Sequence, residues 1–189
     1  MKKYQIIYAD PPWEYNDKKN NDPAMGGITY PTMALEDIKN LDVKDIADDN
    51  CVLFLWATMP LLKEGIEVVE AWGFRYITCA FVWVKMDSDG VNIHSGMGHW
   101  VNGNAELVLL GKKGHPQRIR KNIKQIQCLR ISEHSKKPDK IRQEIVRLMG
   151  DLPRIELFAR GSKERDLFNH NRFDGWDCWG NEVESDIEL

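Results

Sequence analysis

With 189 residues, 42% hydrophobic and 29% charged, the chain reads as soluble and globular, one domain over residues 1–189 that is long enough to bury a substantial core. Its four cysteines (Cys51, Cys79, Cys128, Cys178) are scattered without a CxxC pair or zinc spacing, which excludes a disulfide scaffold and a zinc module and suits buried thiols of a reducing compartment. The net charge of −3 argues by itself against a nucleic-acid partner, the opening MKKYQIIYAD carries too short an apolar run for a signal peptide, and CVLFLWATMPLL is too short to span a bilayer; a cytoplasmic, non-membrane protein is expected.

The first element is a strand, QIIYA, that ends in DPPW (residues 10–13). Two prolines fix φ and lack N–H donors, so one reading is a plain turn that stops the strand. The other is a catalytic loop at a strand's carboxyl end, where sites of open α/β sheets lie. Residues 14–34 then lack periodicity and are rich in Gly, Asn and Asp, as are residues 85–104. Loops of such length in a compact domain tend to be functional, and Tyr30, His99 and Trp100 give them aromatic surface, so both are read as lids.

Four runs, CVLFLWA (51–57), ITCAFVWV (77–84), ELVLLG (106–111) and RIELFA (154–159), are continuously apolar, the pattern of strands buried on both faces. Helical periodicity lies between them: Leu62, Ile66 and Val69 share a face before Gly73, and Ile141, Ile145 and Leu148 do so before Gly150. Alternating strands and helices predict an α/β, doubly wound fold with a mostly parallel sheet and helices on both faces. Charge is unevenly spread. Residues 112–142 hold eleven Lys/Arg against two acids, while the first hundred hold nine against fifteen, as a phosphate-facing surface on a mildly acidic body would. A solvated charged face explains the asymmetry equally well.

The DPPW loop has a chemistry that suits an exocyclic amine. The amino group of a nucleobase is a poor nucleophile because its lone pair is delocalised; one acceptor on each hydrogen would localise it. Asp10 supplies one acceptor and the Pro11 carbonyl, held by a fixed φ, the other. Trp13 could stack on the base for roughly 1–3 kcal/mol, and the base must leave a duplex to arrive there. At average residue usage DPPW occurs by chance in about one unrelated chain of this length in several thousand.

Taken with ITYPTM, LFLWAT, WGF, FVWVK, GHWVNGNAELVLLGKKG, KKPDKI, RIELFAR and WGNEV, in that order from Ile6 to about Val183, the motif resembles the adenine amino-methyltransferases of the MT-A-seventy-like family, which is related to the catalytic subunit of the eukaryotic mRNA methyltransferase and has bacterial and phage DNA members. The resemblance implies a Rossmann-like fold that uses S-adenosylmethionine, with a permuted motif order in which the catalytic loop comes first and the cofactor strand near the end. It carries Asp10, Pro11, Pro12 and Trp13 onto the catalytic motif, and Tyr30, His99, Trp100, Asn102 and Glu106 onto the substrate-facing loops. It carries Asp10, Lys137, Glu156, Phe158, Arg160, Asn181 and Glu182 onto the cofactor pocket. There Lys137 or Arg160 would pair with the cofactor carboxylate, Asn181 and Glu182 would hold hydroxyls, and Phe158 would pack beside the adenine. FARGS offers one Gly where generic methyltransferases have a Gly-rich loop, and the stretch between FAR and GNEV is longer than the family pattern.

The expected function is methyl transfer to the 6-amino group of adenine in DNA. RNA is the alternative substrate, and a catalytically inactive nucleic-acid-binding subunit is the rival; the intact acid speaks against the rival, and an acid rather than Asn in the first position speaks against protein amides. The chain's compact form is like that of the bacterial and phage members. No metal is expected, since the five histidines do not cluster with acids or cysteines at ligand spacing. Homodimer and heterodimer both stay open.

Overall fold

The computed structural model describes residues 2–15, 31–96, 98, 100–132, 136–161 and 173–189. Within them the chain forms β1 (Tyr4–Ala9), α1 (Leu35–Lys39), α2 (Val43–Ile46), β2 (Ala47–Ala57), α3 (Leu62–Ala71), β3 (Arg75–Met86), β4 (Ala105–Lys113), β5 (Ile126–Arg130), α4 (Asp139–Met149), β6 (Arg154–Leu157) and β7 (Asp177–Trp179). All seven strands join one sheet in the order β5-β3-β4-β2-β1-β6-β7. The four continuously apolar runs fall in β2, β3, β4 and β6, and Gly73 and Gly150 follow α3 and α4 with positive φ, as helix stops should.

The sheet is mostly parallel, as expected, with four of its six strand pairings parallel; one strand is reversed. Strand β4 runs antiparallel to both β2 and β3, while β1 pairs parallel with β2 and β6, β6 with β7, and β3 with β5. A fully apolar strand has the same appearance in either direction, so ELVLLG gave no sign of its reversal. Four elements also escaped the sequence reading. Helices α1 and α2 are only five and four residues long, too short to show a period, β7 has three residues, and β5 lies at a sheet edge inside the basic stretch with alternating exposure.

Helices cover both faces. On one, Ile38, Val43, Ile46, Val68, Val69 and Trp72 from α1, α2 and α3 (and the turn beyond it) pack on Ile7, Leu53, Leu55, Leu109 and Ile155. On the other, Ile141, Ile145 and Met149 of α4 pack on Ile6, Tyr8, Phe54, Trp56 and Val108. Strand β1 has Ile6, Ile7, Tyr8 and Ala9 all essentially inaccessible, which is why its run is apolar without alternation. Its carboxyl end, flanked by β2 and β6, is the crevice of the sheet.

Candidate active site

Asp10 is the first residue past β1, and its N–H donates to the Leu157 carbonyl at the end of β6 (3.4 Å). The proline pair that follows is a pinned loop. Trp13 N–H donates to the Pro11 carbonyl at 2.9 Å, Met33 N–H to the Pro12 carbonyl at 2.9 Å, and the Trp13 indole N–H to the Trp56 carbonyl at 3.1 Å. Two expectations change here. The Pro11 carbonyl already accepts one hydrogen bond, so a single lone pair remains for a base amine. Trp13 is buried in the core with its N–H satisfied, so it anchors the loop rather than standing open as a stacking plate.

Four charged side chains meet at this end of the sheet. Lys137 Nζ, just ahead of α4, lies 3.2 Å from Asp10 Oδ1 and 3.2 Å from Glu106 Oε2; Lys85 Nζ at the end of β3 lies 2.6 Å from Glu106 Oε1. Glu106 can arrive here because β4 is reversed, which brings its amino end to the carboxyl ends of the parallel strands. The floor beneath is aromatic. Lys137 Nζ sits 5.4 Å from the Trp56 ring centroid and Lys85 Nζ 5.2 Å from that of Trp83; these two rings meet edge to face at 6.0 Å, and Trp56 donates its indole N–H to the Tyr8 hydroxyl at 2.6 Å.

Burial sets the electrostatics. It pushes the Asp10 carboxyl above its ordinary value, with Glu106 adding to the rise and Lys137 and Arg160 opposing it. Burial also works against ionised Glu106, but Lys137 and Lys85 outweigh it and hold that acid below its ordinary value. Burial disfavours the Lys137 cation, yet the two carboxylates more than compensate and hold it charged. The Asp10 side chain remains 25% exposed, and among the described residues its Oδ2 has no hydrogen-bond partner. An acceptor is therefore available beside a cation, on an aromatic floor.

The segments after β6 and β7 close the neighbouring side. Ala159 N–H donates to the Trp179 carbonyl, Gly161 N–H to the Glu182 carbonyl, and Arg160 bridges to Glu182 through the backbone. A Cβ on Gly180 would stand 2.4 Å from the Ala159 carbonyl oxygen, so only glycine lets the two segments lie together. Phe158 leaves β6 with φ 59°, a left-handed conformation that a bulky residue rarely adopts, and its ring contacts Trp72 (6.5 Å) and Trp179 (5.3 Å). Such an outlier at a strand end next to Asp10 marks a segment whose shape is held by its surroundings.

The site residues read from the sequence thus divide. Asp10, Glu106 and Lys137 come together in one cluster, Arg160 is close enough to act on the Asp10 charge, and Asn181 and Glu182 are exposed beside Arg160. Glu156 does not join them. It is buried on the α4 side of β6 and pairs with Arg142, whose other partner is Asp139. Lys137 is engaged by two protein carboxylates and is not the free cation that a cofactor carboxylate was expected to meet. Trp100 is 97% exposed and Asn102 is also exposed, on an excursion closed by reciprocal hydrogen bonds between Gly96 and Gly103 (3.0 and 3.1 Å). Tyr30 and His99 lie outside the described residues. Lys85 and Trp56 were missed. The signal for Lys85 was a lysine that ends the apolar FVWV run.

The residues at hand fit S-adenosylmethionine by their chemistry: a cation in Arg160, a carboxylate in Glu182 and an amide in Asn181, side by side past the ends of β6 and β7. Among the described residues no group of three His, Cys, Asp or Glu side chains could hold a metal ion, and no helix is long and apolar enough to cross a membrane.

Comparison with known proteins decides the family: residues 4–182 match MT-A70. The chain belongs to the MT-A70 family. It is 36% identical to the type II methyltransferase M.MunI of Mycoplasma sp, over 100% of this chain and 82% of that protein. It is 30% identical to the N(6)-adenosine-methyltransferase MT-A70-like of Arabidopsis thaliana over 95% of this chain, and 29% identical to the N(6)-adenosine-methyltransferase catalytic subunit METTL3 of Homo sapiens over 96%. The chain spans only 24% and 28% of those two proteins' lengths. The MT-A70 match carries with it an α/β methyltransferase that uses S-adenosylmethionine and an adenine or adenosine acceptor.

Proposed function

We propose that the chain transfers the methyl group of S-adenosylmethionine to the exocyclic 6-amino group of adenine in a polynucleotide, on a base taken out of its stack. The observation that carries this reading is the Asp10 carboxylate, held at the sheet's carboxyl end by Lys137 (3.2 Å) with one oxygen unpartnered and the Pro11 carbonyl on the same loop. S-adenosylmethionine when bound supplies the electrophilic methyl. The chain's own residues orient the acceptor: Asp10 Oδ2 accepts a hydrogen bond from one amine N–H, the remaining lone pair of the Pro11 carbonyl accepts one from the other, and the Trp56 and Trp83 rings form the floor beneath. Rate enhancement then comes from positioning and a fixed field.

The acceptor strand has two readings, each with its own support. M.MunI, a type II methyltransferase, matches at 36% identity over most of both chains and supports DNA. The seven other named relatives are all described as N(6)-adenosine-methyltransferases or their subunits, and adenosine is the ribonucleoside; they support RNA more broadly, so the DNA expectation does not stand above the RNA one. Assembly as a homodimer or with a related subunit belongs to the same proposal.

Incubation of the protein with methyl-labelled cofactor and matched DNA and RNA, single-stranded and duplex, followed by digestion and mass spectrometry, tests it. Label in 6-methyladenine from one polymer is the expected result and names the acceptor. Cofactor binding by titration with no label in either polymer would favour the inactive-subunit rival, and label on cytosine would overturn the assignment of the amine.

A further inference from the structure

The basic stretch between residues 112 and 142 is split by the fold. Lys137 is part of the charge cluster around Asp10, whereas Lys112 and Lys113 end the reversed strand β4 beside Val52 and Cys51, at the amino ends of the parallel strands. The chain beyond is fastened at that end. His115 N–H donates to Asn50 Oδ1 at 2.8 Å, and Ile119 and Arg120 N–H both donate to the carbonyl of Leu148, in the last turn of α4, at 2.8 and 3.3 Å. Ile123 packs on the core under α4, and the Gln125 carbonyl accepts from Val82 N–H at 2.9 Å.

Between these anchors Arg118, Arg120 and Lys121 are exposed, and among the described residues none of them has an ion-pair partner. Of the nearby acids, Asp151 past the end of α4 is engaged by Arg154 at 2.6 Å, and Glu144 in mid-helix by Arg147 at 2.6 Å and Lys140 at 3.1 Å. The three cations are thus uncompensated, and the backbone that carries them is ordered before any ligand arrives, which lowers the ordering cost of binding.

We propose that Arg118, Arg120 and Lys121 form a second phosphate-binding surface, which grips the polynucleotide away from the catalytic carboxylate; the inference rests on the reading of the substrate as a polynucleotide. Helix α4 separates the two sites: it starts two residues past Lys137 and has eleven residues, about 16 Å at 1.5 Å per residue. At about 3.4 Å per nucleotide of one strand, a substrate must extend about five nucleotides from the target adenine to touch the patch. Short substrates reach only the catalytic end; long ones reach both.

The test is the triple variant Arg118→Glu, Arg120→Glu, Lys121→Glu, with the Gln triple as a milder version that keeps side-chain size and removes the same charges. Binding of a 30-nucleotide and of a seven-nucleotide strand of whichever polymer is methylated, or of both polymers if neither is, is measured by fluorescence anisotropy across salt. Methylation is measured on the same two strands, the shorter with a central adenine. For the long strand we expect Kd and KM to rise about tenfold or more, and the slope of log K on log salt to shrink by about 2 to 3, at 0.7–0.9 per lost phosphate contact. Saturated kcat and methylation of the short strand stay at the wild-type level. Equal loss on both lengths, or no change on either, overturns the surface. The binding arm needs no turnover: length-dependent loss of binding by a protein that methylates neither polymer would sink the proposed reaction and leave the surface standing.

Discussion

Two charge networks flank the start of α4, and they differ in what they leave open. Lys137, two residues before the helix, reaches Asp10 and Glu106, whose side chains keep 25% and 14% exposure; Arg142, one turn into it, reaches Glu156, and that pair keeps 5% and 7%. Each is an acid on or just past a strand gripped by a cation from the same segment. The first has an acceptor oxygen with no partner among the described residues and sits past the end of β1, where ligands enter; the second is buried within the sheet's α4 face, with Arg142 also stacked over Phe173 (5.4 Å). A buried ion pair is therefore not a site by virtue of burial. An unsatisfied atom in reach of solvent separates chemistry from scaffold.

The largest expected effect sharpens that contrast. Asp10→Asn keeps the size of the side chain and removes the charge that polarises the amine; we expect at least a hundredfold loss of kcat, with cofactor affinity by calorimetry close to wild type. A near-normal rate would move Asp10 out of the machinery. Glu156→Ala, by contrast, leaves the Arg142 guanidinium buried with only Asp139, which costs about 3 kcal/mol of stability in urea unfolding while kcat per folded molecule holds. If Glu156→Ala instead abolished turnover at unchanged stability, the division between the two networks would fail.

Lys85→Met tests the outer edge of the open network. It frees Glu106 from one of its two cations and loosens Lys137 in turn; loss of one charge-assisted contact, about 1.5 kcal/mol, corresponds to about tenfold in kcat. The pH profile gives a check without mutation. Because burial raises the Asp10 carboxyl, the folded chain holds this proton more tightly than the unfolded chain does, so as pH rises from the ordinary value of about 4 through Asp10's own, stability falls. Activity moves the opposite way over the same window as the acceptor gains its charge. An acid limb of kcat at or below the ordinary aspartate range would contradict this. The smallest effect belongs to Trp13→Phe, which keeps most of the packing and loses the indole bond to the Trp56 carbonyl, about 1 kcal/mol in a thermal melt.

Much of the site was legible because its signals are local. DPPW after an apolar strand marks a strand end that cannot continue, whatever the rest of the chain does, and Asp10 stands where that argument puts it. The family resemblance carries Glu156 onto the cofactor pocket through RIELFAR, but a strand offers two faces, and only the packing of α4 shows that Glu156 faces Arg142. Lys85 was overlooked for a related reason: β3 and β4 pair with Trp83 opposite Glu106, a register that the long connection between these two strands does not reveal. The basic stretch looked like one surface because sequence distance hides that β4 ends at the other side of the sheet from Lys137.

What the sequence by itself determined is the place of the apolar strands, though β3 proved only partly buried, the stops at Gly73 and Gly150, the rigid loop at residues 10–13 and the family, since dihedral restriction and apolar runs act within a few residues. The tertiary structure alone decided the direction of β4, the meeting of Asp10, Lys137, Glu106 and Lys85, the withdrawal of Glu156 and Trp13 into the core, and the separation of Arg118, Arg120 and Lys121 from the catalytic end. Those outcomes depend on strand order and on which helix covers which face, and a charge acquires its partner only when packing has brought distant segments within a few ångströms.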